Sequence, residues 1–183
     1  MGYYTLDIPK EGKTFTIGSP QHEPGRGADE PQRKATFKKP FSMAKTTVTQ
    51  LLYAIVIEEN PSEHKSSGTE IVINGKKIKL DPNRPVEKVS YEDTKKYYKI
   101  LNEHDSKYHH DLPTEAQWEV SARAGSNEPY HFGKDPEKLP EHVWYNQNSE
   151  NKTHDVATRR PNRHGLYDMA GNVWQWVKDW YTE

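Results

Sequence analysis

Residues 165–181, GLYDMAGNVWQWVKDWY, hold three tryptophans and two tyrosines in seventeen positions. Each ring removes about 150–250 Å² from water when buried, so a cluster this dense needs a large apolar partner. Within VWQWV, Trp174 and Trp176 alternate with Val173, Gln175 and Val177. A period of two predicts a strand carrying both indoles on one face.

The rest of the composition makes those rings matter more. Hydrophobic residues are 32% of 183, against about 45–50% in ordinary globular domains when Gly is counted. Mean hydropathy is strongly negative, which alone would indicate disorder. Five Trp, eleven Tyr and four Phe indicate the opposite, because a few large rings replace many aliphatic side chains. The expectation is one α+β domain over 1–183, irregular and loop-rich, with an aromatic core.

Charge and residue usage exclude several functions. Lys plus Arg is 26 and Asp plus Glu is 27, so there is no basic field for a nucleic-acid backbone. No cysteine occurs, which removes disulfides, Cys-type zinc sites and thiol nucleophiles from these residues. No apolar run reaches the length of a membrane span. The compartment stays open between cytoplasm and export with a removed signal.

Local signals place the elements. TFTIG (14–18) alternates like a half-buried strand. The extended stretch 34–49 contains Pro40, which sets it at an edge or bend. Thr49 reads as the N-cap of a helix with Leu52, Tyr53, Ile55 and Val56 on one face, stopped by Asn60-Pro61. Asn74-Gly75 between two β-rich runs predicts a type I′ hairpin, a small protruding ribbon within 68–81. Ser90 with Asp93, and Thr114 with Gln117, match capping boxes opening two further helices, the second closed by Gly125.

Chemistry-bearing candidates are sparse. His104, His109 and His110 lack metal-ligand spacing and read as surface or structural residues. Glu115 suits a helix first turn, and Glu119 suits an i, i+4 pair with Arg123. RRPNRHG (159–165) is expected to be a solvated turn, because no helix N-terminus completes an anion site there.

In order, DEPQRKATFKKPFSMAKTTVTQLLY (29–53), NPSEHK (60–65), PVEKVSYEDTKKYYKILN (85–102), LPTEAQWEVSARAG (112–125), YHFG (130–133) and VWYNQNSENKTHDVATRRPNRHGLYDMAGNVWQWVKDWY (143–181) resemble the formylglycine-generating enzyme family, the sulfatase-modifying factor domains. The resemblance implies an irregular α/β fold related to C-type lectins, with an aromatic core. Catalytic members oxidise a substrate cysteine to formylglycine with molecular oxygen and Cu(I) held by two cysteines, and thiolates suit a cuprous ion. Other members display ligands, accompany kinases or run other oxidations.

Departures from that pattern shape the functional expectation. The family continues past its W-x-W strand with an R-G-G-S segment, the copper cysteines and a G-F-R strand, none of which lies in 1–183. The tryptophans of 174–180 are therefore expected to pack against a C-terminal half outside these residues. By position the resemblance implies a calcium site from the carbonyls of Ala170, Gly171 and Val173 with the side chain of Gln175. Gln175 stands where the family has glutamate, so calcium binding there is expected to be weak, and copper is not expected. Asp111 stands where the family commonly has Arg. The expectation is a non-catalytic ligand- or protein-binding module, partnered by a protein, a peptide or a complementing C-terminal chain. The alternative is a truncated or split sulfatase-modifying enzyme whose catalytic half lies elsewhere, and a third reading is an oxidative enzyme working without copper.

Overall fold

The computed structural model describes residues 2–23, 25–66 and 68–180. At one end, β1 (Tyr3–Leu6) pairs antiparallel with β4 (Phe41–Ala44), and β2 (Lys13–Ile17) pairs antiparallel with β3 (Arg33–Phe37). Pro40 lies in the bend between β3 and β4, where its missing N–H breaks no ladder. Phe15 and Ile17 of β2 turn inward, while Thr14 and Thr16 face water. Leu6 and Ile17 bury with Val120 of the third helix, and Phe15, Phe37 and Phe41 pack around them.

Helix α1 (Gln50–Ile57) is capped by the Thr49 hydroxyl, which accepts the Leu52 N–H. It ends before Asn60-Pro61, because Glu58 adopts a left-handed conformation (φ 60°) and its N–H closes on the Ala54 carbonyl. Tyr53, Ala54 and Ile57 face inward, whereas Ile55, expected on the same face, points to solvent. Helix α2 (Tyr91–His104) makes both capping-box bonds through Ser90 and Asp93. It packs on α1 through Tyr97, whose ring stacks on Tyr53 at 5.6 Å and 3°. Burial raises the Tyr97 phenol far above its ordinary range, and pushes neighbouring Tyr98 up to about 12.

β5 (Glu70–Ile73) and β6 (Lys76–Lys79) form the expected hairpin. Asn74 (φ 48°) and Gly75 (φ 80°) supply the two positive angles of a type I′ turn. The ribbon does not stand free: Ile78 and Leu80 bury against Ala54, with Leu51, Ile71 and Ile73 around them. The buried Gln50 amide ties this layer together, donating to the His64 carbonyl and accepting from Asn60 and the Asp81 N–H.

Helix α3 (Glu115–Arg123) carries the Thr114–Gln117 capping box and ends at left-handed Ala124 and Gly125. A 3-10 turn (Pro136–Lys138) and the short α4 (Leu139–His142) follow, and the remainder is irregular. The architecture is α+β. One expectation about the tryptophan segment needs correction. No strand forms over 173–177 among the described residues. Trp174, Trp176 and Trp180 lie exposed, as expected of rings whose cover lies outside these residues, and the buried side chains are mostly aliphatic, with Tyr53 and Tyr97 as the buried rings among them.

Candidate functional site

Three exposed tryptophans, Trp174, Trp176 and Trp180, stand on a scaffold built by residues 162–180. Its foundation is Asn162, which is buried and makes four hydrogen bonds. The amide donates to the carbonyls of Ser121 and Ala122, and the oxygen accepts the N–H groups of His164 and Leu166. One side chain thereby fixes the loop to the end of α3.

The chain then makes two left-handed steps, at Asp168 (φ 56°) and Asn172 (φ 68°). Each is held by a reach across the loop. The Asp168 carboxylate accepts the Ala157 N–H at 2.9 Å. Asn172 exchanges two hydrogen bonds with the backbone of His154, both at 2.9 Å. Burial raises the pKa of Asp168, opposed by those donors. Between them, Gly171 runs so close to the Trp144 carbonyl and Val143 that a Cβ would overlap both. Trp144 is held in turn by His154, stacked at 3.7 Å, and by the Arg159 guanidinium at 3.6 Å. Two groups that close to one ring centre must take opposite faces.

Over 173–177 the side chains alternate as expected, although no partner strand is present among the described residues. Gln175 turns inward: its oxygen accepts the Trp118 indole N–H at 3.0 Å, and its amide donates to the Asp168 carbonyl at 2.9 Å. Trp174 and Trp176 turn outward, at 103% and 47% exposure, and Trp180 follows at 81%. Trp176 donates to the Val89 carbonyl, and the Tyr91 ring meets both Trp176 and Trp180 at 5.8 Å. The segment is moored to two helix starts. Asp179 accepts the Glu115 N–H at the start of α3, where a carboxylate complements the helix dipole. The Tyr91 hydroxyl, at the start of α2, donates to the Lys178 carbonyl. Lys178 also pairs with Asp111, which gives Asp111 a structural role.

The four positions implied for calcium lie on this loop, and they fit the ion poorly. Ala170, Gly171 and Val173 offer only carbonyls, and the Gly171 carbonyl already accepts the Val173 N–H. The Gln175 oxygen already accepts an indole N–H, and a set of neutral donors lacks the carboxylate charge on which calcium affinity depends. Most of the other candidates have protein partners. His104 meets the Ile100 carbonyl and His110 pairs with Asp105. Glu119 binds Arg123 at 2.7 Å, Arg159 covers Trp144, and Arg160 pairs with Glu141. The sequence reading missed Tyr91 and Trp118 as supports of the tryptophans. Their only signal was an aromatic residue at the first turn of one helix and at the middle of another.

Compared with known proteins, residues 8–183 match the sulfatase-modifying factor enzyme 1-like domain. A formylglycine-generating enzyme of Streptomyces coelicolor is 34% identical over 114 residues, covering 55% of this chain and 34% of that enzyme. The serine/threonine-protein kinase pkn1 of Chlamydia pneumoniae is 42% identical over 71 residues, 38% of this chain and 11% of the kinase. Among solved structures, PvdO from Pseudomonas aeruginosa superimposes with a TM-score of 0.78 at 29% identity, covering 98% of this chain and 71% of that one. The chain thus spans about a third of the curated formylglycine-generating enzymes that it matches.

Proposed function

The chain belongs to the sulfatase-modifying factor enzyme 1-like domain family, and from that premise we propose that residues 1–183 serve as a non-catalytic binding module. The observation that carries the reading is the absence of any cysteine from these residues, since catalytic members of the family hold their cuprous ion with two thiolates. The binding surface is the tryptophan face. Aromatic rings displayed on a braced backbone lose little entropy on contact, which is why Trp and Tyr dominate interface hot spots. The partner is a protein or peptide, or a complementing C-terminal chain, that lays an apolar extended segment along 173–177. Among the described residues, no main-chain hydrogen bond engages 174–177, so that segment supports strand addition as well as ring contact. Calcium, if taken up by the carbonyls of Ala170, Gly171 and Val173 with Gln175, binds weakly.

A photo-crosslinking residue at position 174, in cells of the source organism, tests this reading, with position 72 as control. Val72 is also exposed, at 65%. Adducts confined to position 174 support the proposal, and equal labelling at both positions removes it. A second reading draws support from the formylglycine-generating relatives: cysteine oxidation by a whole protein whose copper ligands lie outside these residues. Peptide mapping of the natural protein separates the two, because the second reading requires a cysteine-bearing peptide.

A further inference from the structure

The structure holds a cleft, away from the tryptophan face, that neither the family match nor the reading above uses. It lies between the open end of the β2–β3 ribbon and the C-terminal end of α3, a half-open depression of about 480 Å³. That volume falls within the usual range for small-ligand sites. Arg33, Lys34, Arg123, His22, Gln32 and Asn127 supply most of the polar wall, and no carboxylate is among the described lining residues. In a chain with 26 basic and 27 acidic residues, a wall that carries Arg33 and Lys34 beyond the Arg123–Glu119 pair is locally positive.

Three observations bear on whether that field is free to act. First, the cations differ in commitment. Arg123 is locked in place, its Nε on Glu119 at 2.7 Å and a terminal nitrogen on the Gly18 carbonyl at 3.1 Å. Arg33 reaches Glu115 only at 3.6 Å, with both side chains exposed, so that pairing competes weakly with a ligand. Lys34 donates to the neutral Thr16 hydroxyl at 2.7 Å.

Second, a helix C-terminus normally presents bare carbonyls and a partial negative charge, which would repel an anion. Here the last four carbonyls of α3 are already taken. Val120 receives the Ala124 N–H, Ser121 and Ala122 receive the Asn162 amide, and Arg123 receives the Ser126 N–H. Third, the rim is preset. The Gly18 backbone (φ 81°) sits so tightly on Pro31 that a Cβ would collide with it, and its N–H is fixed on Glu119.

We propose that this cleft binds a small ligand bearing an oxyanion, carboxylate or phosphate, with Lys34 and Arg33 as charge partners and Gln32 and Asn127 as neutral donors. The forked guanidinium suits both oxyanions. Lys34 and Arg33 are exposed, so either can be changed without disturbing the locked Arg123.

The test is an amide NMR titration of the full 183-residue chain with succinate, and separately with inorganic phosphate, against sodium chloride at matched ionic strength. Saturable shifts at Gly18, Gln32, Ser126 and Asn127 with either oxyanion, absent with chloride, are expected. The anion that saturates at the lower concentration identifies the preferred head group. Lys34→Gln should weaken binding about three- to tenfold, and adding Arg33→Gln should weaken it further, while shifts elsewhere stay as in the unmodified chain. Shifts that chloride reproduces, or binding unchanged in the double variant, overturn the proposal.

Discussion

Gln175 is the hinge on which the display of the tryptophans turns, and Gln175→Ala tests it. The substitution removes two hydrogen bonds, leaving the Trp118 indole N–H and the Asp168 carbonyl without their partners. An unsatisfied buried group costs about 1–3 kcal/mol. Gln175 and Trp118 are only half-buried, so water recovers part of the loss and the total falls at about 2–3 kcal/mol. For a chain of this length that corresponds to a drop in Tm of about 4–12 °C. Urea unfolding followed by far-ultraviolet circular dichroism reads the difference without depending on indole emission. A loss below about 0.5 kcal/mol, the size of an ordinary surface change, would refute the bracing role. Gln175→Glu sharpens the test. Its carboxylate still accepts the indole N–H but can no longer donate to the Asp168 carbonyl unless protonated. Its folded-state pKa should therefore lie above the unfolded value of about 4.3. The variant should approach parental stability below that pH and lose it as pH rises through the folded pKa.

Three further substitutions probe the same scaffold. Asn162→Ala abolishes four hydrogen bonds in a buried setting and should cost about 3–5 kcal/mol by urea denaturation; a cost under about 1 kcal/mol would mean that water substitutes freely. Gly171→Ala forces a Cβ onto the Trp144 carbonyl and should destabilise by about 2 kcal/mol or more, with a changed Trp fluorescence spectrum; unchanged stability would show that the loop yields. Asp168 has a raised folded pKa, so its ionisation weakens the fold at neutral pH, and stability recovers as pH falls through that pKa towards about 3.9. Asp168→Asn cannot titrate, so its stability–pH curve should lack that rise, and parallel curves for the two proteins would contradict the burial argument.

What could be read from the sequence is what local hydrogen bonding decides. Thr49, Ser90 and Thr114 each accept a backbone N–H three residues away, and Asn74-Gly75 sets its own turn. Helix α1 stops early because Glu58 takes a left-handed angle, and glutamate carries no sequence signal for that conformation. The alternation at 174–176 placed the indoles together on one face, but a strand also needs a neighbour, and periodicity alone cannot supply one. The pairing of Lys178 with Asp111, like the enclosure of Trp144 by His154 and Arg159, joins residues that only the folded loops bring together. The cationic cleft is equally non-local, joining a strand end to a helix end about ninety residues apart.

The most direct measurement is aldehyde formation on a cysteine-containing sulfatase peptide, incubated aerobically with the purified 183-residue chain and Cu(I), and read by mass spectrometry. With no thiolate to hold the metal, the cysteine is expected to emerge unconverted at every copper concentration, including in chain that retains its native circular dichroism. Catalytic conversion to formylglycine by that same chain would contradict the binding-module reading.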